Sequence, residues 1–444
     1  MSSTTGAVKK QIKLGMFLRP AGHHVAAWRH PAAAADAGLV FEPFIELARM
    51  AERGLFDMLF LADTSGIPIE SLEGASHTAY VAWVEPFTTM VALAQHTRHI
   101  GLVCTSSTSF EEPYGIARKF ASLDIVSGGR GGWNLITSVN PLEFRNFGHV
   151  GHPDREQRYE RAREFAHVVL GLWDSWDSDA FTIDRASGRF FDPAKVRTLD
   201  HVGKHFQVRG PLNVARSPQG RPVLVQAGAS DAGMDLAAET ADVVFAATPT
   251  LEIARTFYAD LKSRVARHGR NPDEVLVMPG FQVMIGRTEE EARDKYQQLL
   301  DLIPTEIGVQ HLSQYIDHDV RGHPVDGPLP DIPLEKLNTS RTALLVELAR
   351  KEKLTIRQLY QRISGGRGHF QTWGTPTQIA DTFEEWTSTG AADGFNYMAP
   401  ILPGGLEDFI TMVIPELQRR GLYRTRYDGT TLRDNLGLPR PRRR

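Results

Sequence analysis

Short runs rich in β-formers take turns with longer amphipathic stretches from one end of the chain to the other, and no other feature narrows the possible folds as much. IKLGMFL (12–18) is followed by FEPFIELARMAERG, where Phe44, Leu47, Ala48 and Ala51 recur at helical spacing and Gly54 ends the helix. FDMLFLAD (56–63) is apolar almost throughout, as in strands buried on both faces of a parallel sheet. Further strands are predicted at IGLVCTSS, RGGWNLITS (130–138), PVLVQAGAS (222–230), VVFAATP (243–249), VLVMPGFQVMIG (275–286) and FNYMAPI (395–401). Between them lie helical patterns such as PYGIARKFASLDIVSGG, REQRYERAREFAHVVLGLWDSW and DAGMDLAAETA. Eight strand and helix pairs in order predict an α/β fold, a closed (β/α)8 TIM barrel, and one barrel with insertions accounts for 444 residues.

Two stretches break the rhythm. Residues 176–210 read as short strands and turns between the fourth helix and the fifth strand. Residues 304–372 form an excursion after the seventh strand, with a Pro- and Gly-rich first half and helical TALLVELARKEK and IRQLYQRI in its second. An insertion of this length is expected to act as a lid, with the glycines of GGRGHFQTWG as its hinge. The domain is expected to span 12–425, leaving 426–444 as a tail that ends in the solvated basic PRPRRR.

Fifty Lys and Arg against 53 Asp and Glu give a formal charge of −3, which supplies no field for gripping a nucleic-acid backbone. A single cysteine, Cys104, excludes an intramolecular disulfide and a cysteine-based zinc cluster. No apolar run approaches the roughly 20 residues that span a bilayer. A cytoplasmic enzyme is expected, with neither nucleic acid nor membrane as partner.

In this barrel class the chemistry lies at the C-terminal ends of the strands. The first strand runs into LRPAGHHVAAWRHP, and the next three end in Asp63, in Cys104-Thr105-Ser106, and in Asn134, Thr137 and Ser138. The fifth ends in Gly228, Ala229 and Ser230, and the seventh carries Gln282. A metal hydrolase needs several His, Asp or Glu ligands converging from different strands. Here the side chains of adjacent His23 and His24 diverge, and QAGAS and AATP offer neither histidine nor carboxylate, so no metal is expected. Small hydroxyls, an amide and close-approach glycines suit a flat polar heterocycle instead. In QAGASDAGMDLAAETA, Ser230 opens a helix; it serves either as a simple N-cap or as part of a phosphate site at the positive end of the helix dipole. Asp63 is either a structural carboxylate or a ligand contact, and Asn134 and Thr137 either fill the barrel or face a ligand.

Taken together, GHHVAAWRHP, FDMLFLAD, PYGIARKFASLDIVSGGRGGWNLITS, RYERAREFAHVVLGLWDSW, PVLVQAGASDAGMDLAAETAD and TPTQIADTFEEWTSTGAADGF resemble the bacterial luciferase-like flavin monooxygenases. More narrowly, they are similar to the nitrilotriacetate and dibenzothiophene-sulfone monooxygenase group. The resemblance implies an insertion-bearing barrel that takes FMNH2 from a separate NAD(P)H:flavin reductase. It implies a flavin C4a-hydroperoxide formed with O2, which oxygenates a small organic sulfur or nitrogen compound, and a homodimer or homotetramer. By the same resemblance, Asp63 and Thr105 meet the flavin ring, Asn134, Thr137 and the neighbouring Ser138 its edge or ribityl chain, and Tyr159, Gly228, Ala229 and Ser230 the phosphate end. Many relatives place a histidine one helical turn before that tyrosine; this chain has Arg155 there and His152 one turn earlier, and either can replace it. His23 or His24 is expected to handle a proton or face substrate, or else to brace its loop, and His311 and Tyr315 of the excursion to face substrate. Two other readings are a deazaflavin-dependent dehydrogenase on the same barrel and a flavin-binding protein without catalysis. The GWNLITS and GHHVAAWR motifs resemble the oxygenase branch more closely, and a sequestering protein needs no lid.

Overall fold

The computed structural model describes residues 11–67, 72–148, 151, 153–333, 340–366 and 368–441. Among them, β1 (Lys13–Leu18), β2 (Met58–Leu61), β3 (Gly101–Ser107) and β4 (Gly131–Ile136) pair in parallel, each on the next. After a small antiparallel ribbon of β5 (His201–Val202) and β6 (Gln207–Val208), the series continues through β7 (Val223–Gln226), β8 (Val243–Ala246) and β9 (Leu276–Ile285). One more strand, β10 (Phe370–Gly374), precedes β11 (Gly394–Tyr397), which pairs with both β9 and β1 and so closes an eight-stranded barrel. The predicted TIM barrel is the observed fold.

Helices α1 (Glu42–Arg53), α2 (Leu72–Ala75), α3 (Pro86–Leu93), α4 (Pro113–Val126), α5 (Pro141–Asn146) and α6 (Arg155–Trp173) accompany the first half. In the second half come α7 (Asp231–Thr240), α8 (Leu251–Arg267), α9 (Glu289–Asp301), α10 (Thr305–Tyr315), α11 (Ser340–Glu352), α12 (Ile356–Gly366) and α13 (Pro376–Ser388), then the short α14 (Gly404–Asp408), α15 (Ile414–Arg419) and α16 (Leu432–Leu436). Strand alternation divides the core. Leu14, Leu59, Leu102, Trp133 and Phe281 point outward onto the helices, while Phe17, Phe60, Val103, Val225, Phe245 and Met278 fill the barrel. Each such side chain contributes about 1.5–3 kcal/mol by leaving water, which is why these strands read as continuous apolar runs.

Three features differ from the sequence expectations. First, residues 426–441 are part of the fold: Leu432, Leu436 and Leu438 close the N-terminal end of the barrel, and a Cβ at Gly101 would lie only 2.4 Å from a Leu432 methyl. Arg433 holds this plug through Asp242, at 3.0 and 2.8 Å. Second, the excursion has a helix in its first half as well, α10, which lies ahead of the Pro- and Gly-rich stretch. Third, the excursion ends in β10, in register with the upper half of β9 from Phe370↔Phe281 to Gly374↔Ile285. Gly365 and Gly366 lie at the end of α12 and are packed against Gln282 and Gln371 rather than forming an open hinge. The helices of the excursion share their own apolar core, with Leu312, Ile316, Val346, Leu359 and Ile363 at its centre.

Candidate functional site

The C-terminal ends of β1, β2, β4 and β7 enclose a cavity of about 500 Å³. Its walls are largely apolar, with Phe17, Leu18, Leu61 and Leu135 among them, and its polar groups include Asp63, Thr137, Ser138, Glu143, Tyr159 and Gln226. Loss of water drives the Asp63 carboxyl up to about 6, and the nearby charges of Glu85 and Glu143 push the same way; bonds from the Thr64 N–H and the Trp83 side chain only partly oppose this. Glu143 accepts from Thr64 Oγ1 at 2.8 Å and from the Ser65 N–H at 2.7 Å, tying the loop after β2 to α5. That short helix has too few turns to show a period, so sequence reasoning missed Glu143. Trp83 and Arg19, which also line the cavity, were missed too, because they lie in loops; only the Glu85-Pro86 cap that follows Trp83 hints at an ordered element.

Below this cavity the barrel keeps an amide and a hydroxyl together. Asn134 and Thr105 are register partners on β4 and β3, and Asn134 Nδ2 donates to Thr105 Oγ1 at 2.8 Å. Asn134 Oδ1 is buried and accepts no bond. One turn of the pleat higher, the Ser107 and Ser138 hydroxyls bond at 2.9 Å.

Tyr159 lines the cavity and also a second, more open pocket of about 610 Å³, which has Arg155 and Ser230 on its edge. The starting residues of both helices explain this: Asp154 caps α6 by accepting from the Gln157 N–H at 2.8 Å, which puts Arg155 one turn before Tyr159, and Ser230 caps α7 by accepting from the Gly233 N–H at 3.2 Å. The backbone comes close to the tyrosine hydroxyl here. A Cβ at Gly233 would stand 2.7 Å from Tyr159 Oη, and one at Gly228 would stand 3.4 Å from it. Of the arginines around the pocket, Arg163 is paired with Asp235 and Arg264 with Asp231 and Asp260, whereas Arg155 makes no ion pair among the described residues. Ala229 is exposed in the turn between β7 and α7. His152 lies outside the described residues.

His23 and His24 are fully buried in the loop after β1. His23 Nε2 donates to the Phe17 carbonyl at 2.8 Å, and its ring stands edge-on to Phe17 with centroids 4.4 Å apart. His24 Nδ1 accepts from the Ala26 N–H at 3.2 Å, and Tyr80 Oη donates to the Gly22 and His24 carbonyls. The loop bracing weighed from the sequence is therefore present for both. Neither histidine lines the ring-sized cavity. His311 is half-buried on α10, its ring centroid 6.4 Å from that of Tyr315, within the excursion rather than at the strand ends. Among the described residues no group of three or more His, Cys, Asp or Glu side chains is placed to hold a metal, and no described helix is long and apolar enough to cross a membrane.

Residues 21–393 match the luciferase-like monooxygenase family. The chain is 49% identical to N-acetyl-S-(2-succino)cysteine monooxygenase of Bacillus subtilis (strain 168), with 98% of each chain covered. It is 47% identical to nitrilotriacetate monooxygenase component A of Aminobacter aminovorans, again with 98% of each covered. Its structure superimposes on that of DmoA from Hyphomicrobium sulfonivorans with a TM-score of 0.86 at 32% identity, covering 96% of this chain and 92% of the other. With the barrel, the site at its strand ends and these matches all agreeing, the chain belongs to the luciferase-like monooxygenase family and is a flavin-dependent monooxygenase.

Proposed function

We propose that this protein is the oxygenase of a two-component system, using reduced FMN delivered by a separate NAD(P)H:flavin reductase to oxygenate a small sulfur- or nitrogen-containing compound. The observation that carries this reading is Tyr159, shared between an apolar cavity of ring-system size and a pocket edged by a helix N-terminus and by Arg155, which has no ion pair among the described residues. Such a pair of sites suits FMN, a flat ring joined by a short chain to one phosphate monoester. Further support comes from the buried acceptor Asn134 Oδ1 and from the bare backbone at Gly228 and Gly233, which leaves room beside the Tyr159 hydroxyl. The names of the relatives point to thioether- and amine-containing substrates, and "component A" points to a second protein.

When bound, reduced FMN supplies the two electrons with which O2 yields one oxygen atom to the substrate and one to water. The chain's own residues do the rest. Arg155, Ser230 and Tyr159 hold the phosphate end by charge and hydrogen bonds, while Thr137, Ser138 and Asn134 orient the ring edge. Asp63, with its carboxyl raised to about 6, retains its proton further towards neutral pH than an ordinary aspartate and can lend it to an acceptor on the ring. Phe17, Leu18, Leu61 and Leu135 keep water from the reacting face, and the excursion over the barrel mouth completes that exclusion. His23, bonded through Nε2 to the Phe17 carbonyl, braces the loop that carries Arg19 into the cavity wall.

The test is direct. The purified chain should bind FMN more tightly than riboflavin or FAD, and Arg155→Ala should remove most of the preference for FMN over riboflavin. Given reduced FMN, O2 and a panel of small thioethers and amines, it should consume oxygen without matching peroxide release for at least one of them. Tighter FAD binding, product formation without O2, or NADH oxidation by the chain alone at the rate of product formation would each refute the reading.

A further inference from the structure

Strand β9 is ten residues long and buried along its whole length. Leu276 and Met278 point into the barrel and Phe281, Val283 and Ile285 point outward, so the alternation turns Gly280 and Gln282 inward at the C-terminal end. Gln282 is 2% exposed, and among the described residues neither its Nε2 nor its Oε1 has a hydrogen-bond partner.

The neighbouring strand provides the contrast. Gln371 is the register partner of Gln282 on β10 and lies under the same glycine: a Cβ at Gly365 would be 2.5 Å from Gln282 Oε1 and 2.6 Å from Gln371 Oε1. Yet Gln371 is fully engaged, accepting from Tyr296 Oη at 3.1 Å and donating to the Arg362 carbonyl. Two identical side chains therefore sit side by side beneath α12, one wired into the excursion and the other left with donors and acceptor unmatched. A buried amide without partners destabilises the fold, and a leucine or methionine would fill the space at no such cost. An unmatched amide under a covering helix, at the C-terminal end of a barrel strand, is the pattern of a group kept for a ligand.

The groups around Gln282 are an imidazole and aromatic rings. His369 stands over Gly280, one inward position below Gln282, so close that a Cβ there would be 2.3 Å from its Nδ1. His369 stacks on Phe245 at 4.9 Å, Phe245 meets Phe17 edge-on at 5.5 Å, and Phe17 carries His23. This rim runs from β9 to β1 through histidines and aromatic rings. The carboxylates of the cavity, Asp63 and Glu143, belong to the β2 and α5 side. The backbone joins the rim to the excursion, since the Val25 N–H donates to the Ser364 carbonyl at 2.9 Å, one residue before Gly365.

We propose that Gln282 determines substrate specificity by donating from Nε2 to a carboxylate of the substrate, with His369 beside it on the same rim. The inference rests on the monooxygenase reading for the word substrate, but it concerns a different wall of the barrel mouth from the flavin cavity. 2,2′-Thiodiacetate, a thioether between two carboxylates, and its dimethyl ester serve as probes, titrated by calorimetry into wild type, Gln282→Leu and Gln282→Glu, with FMN titrated separately. The expected result is saturable binding of the diacid but not the ester, about tenfold weaker in Gln282→Leu and lost in Gln282→Glu through like-charge repulsion, with FMN affinity and melting temperature undiminished in Gln282→Leu. Equal diacid affinity in wild type and Gln282→Leu, equal binding of acid and ester, or no diacid binding by wild type would overturn it. Failure of FMN to bind while the diacid still discriminates between the variants would count against the cofactor reading and leave the role of Gln282 standing.

Discussion

Tyr159 Oη lies so near the backbone of Gly233 that one added methyl group would stand 2.7 Å from it. Glycine at the third position of α7 thus sets how far a tyrosine from α6 can reach, and joins the wall of the ring cavity to the floor of the neighbouring pocket. Gly233→Ala should improve the helix by up to about 1 kcal/mol while pushing the hydroxyl aside. The expected outcome is a melting temperature equal to or above wild type together with roughly tenfold weaker FMN binding, read by flavin fluorescence quenching. Unchanged FMN affinity would mean that Tyr159 does not hold the cofactor.

Asp63 makes stability depend on pH in a definite direction. Its carboxyl titrates near 6 in the fold because burial disfavours the charge, and near its ordinary value once unfolded. The unfolded chain therefore sheds this proton first, and folding loses stability as pH rises from about 4 through 6. Asp63→Asn removes the cost of the buried charge, on the order of 3 kcal/mol. The variant should melt higher than wild type at pH 7.5 and no higher at pH 4. A constant difference across that range would contradict the raised titration.

The plug at the bottom of the barrel is a claim about stability alone. Leu432 is buried against Gly101 and Gly132, so Leu432→Ala leaves a cavity far from the strand ends. Denaturant unfolding should register a loss of about 2–5 kcal/mol, while FMN affinity at 20 °C, on the order of room temperature, stays the same. A loss under 1 kcal/mol would return residues 426–441 to the status of a tail.

Gly308 offers a way to loosen the excursion without touching the barrel. A Cβ there would stand 2.6 Å from the Tyr360 ring, so Gly308→Val forces α10 away from α12. If the excursion excludes water from the reaction, FMN binding should persist, and a larger share of the oxygen consumed should appear as peroxide instead of product. Wild-type coupling in a variant with a lowered melting temperature would make the excursion a structural element only.

The order and identity of the barrel strands were legible in the amino-acid sequence because burial on both faces demands continuous apolar runs such as MLFL, and these need no knowledge of the partner strand. The helix start at Ser230 was legible for a similar reason, since a cap is satisfied within three or four residues. Everything decided by a contact between distant residues had to wait for the tertiary structure. Glu143 reaches Thr64 across 79 positions of sequence, and Leu432 plugs a barrel whose first strand begins at Lys13 from a helix too short to have a period. The strand β10 looked like the end of a loop because its edge pairing with β9 leaves no alternating pattern. Gln282 and Gln371 are the same residue type on adjacent strands, and only the positions of Tyr296 and the Arg362 carbonyl make one of them structural and leave the other open to a ligand.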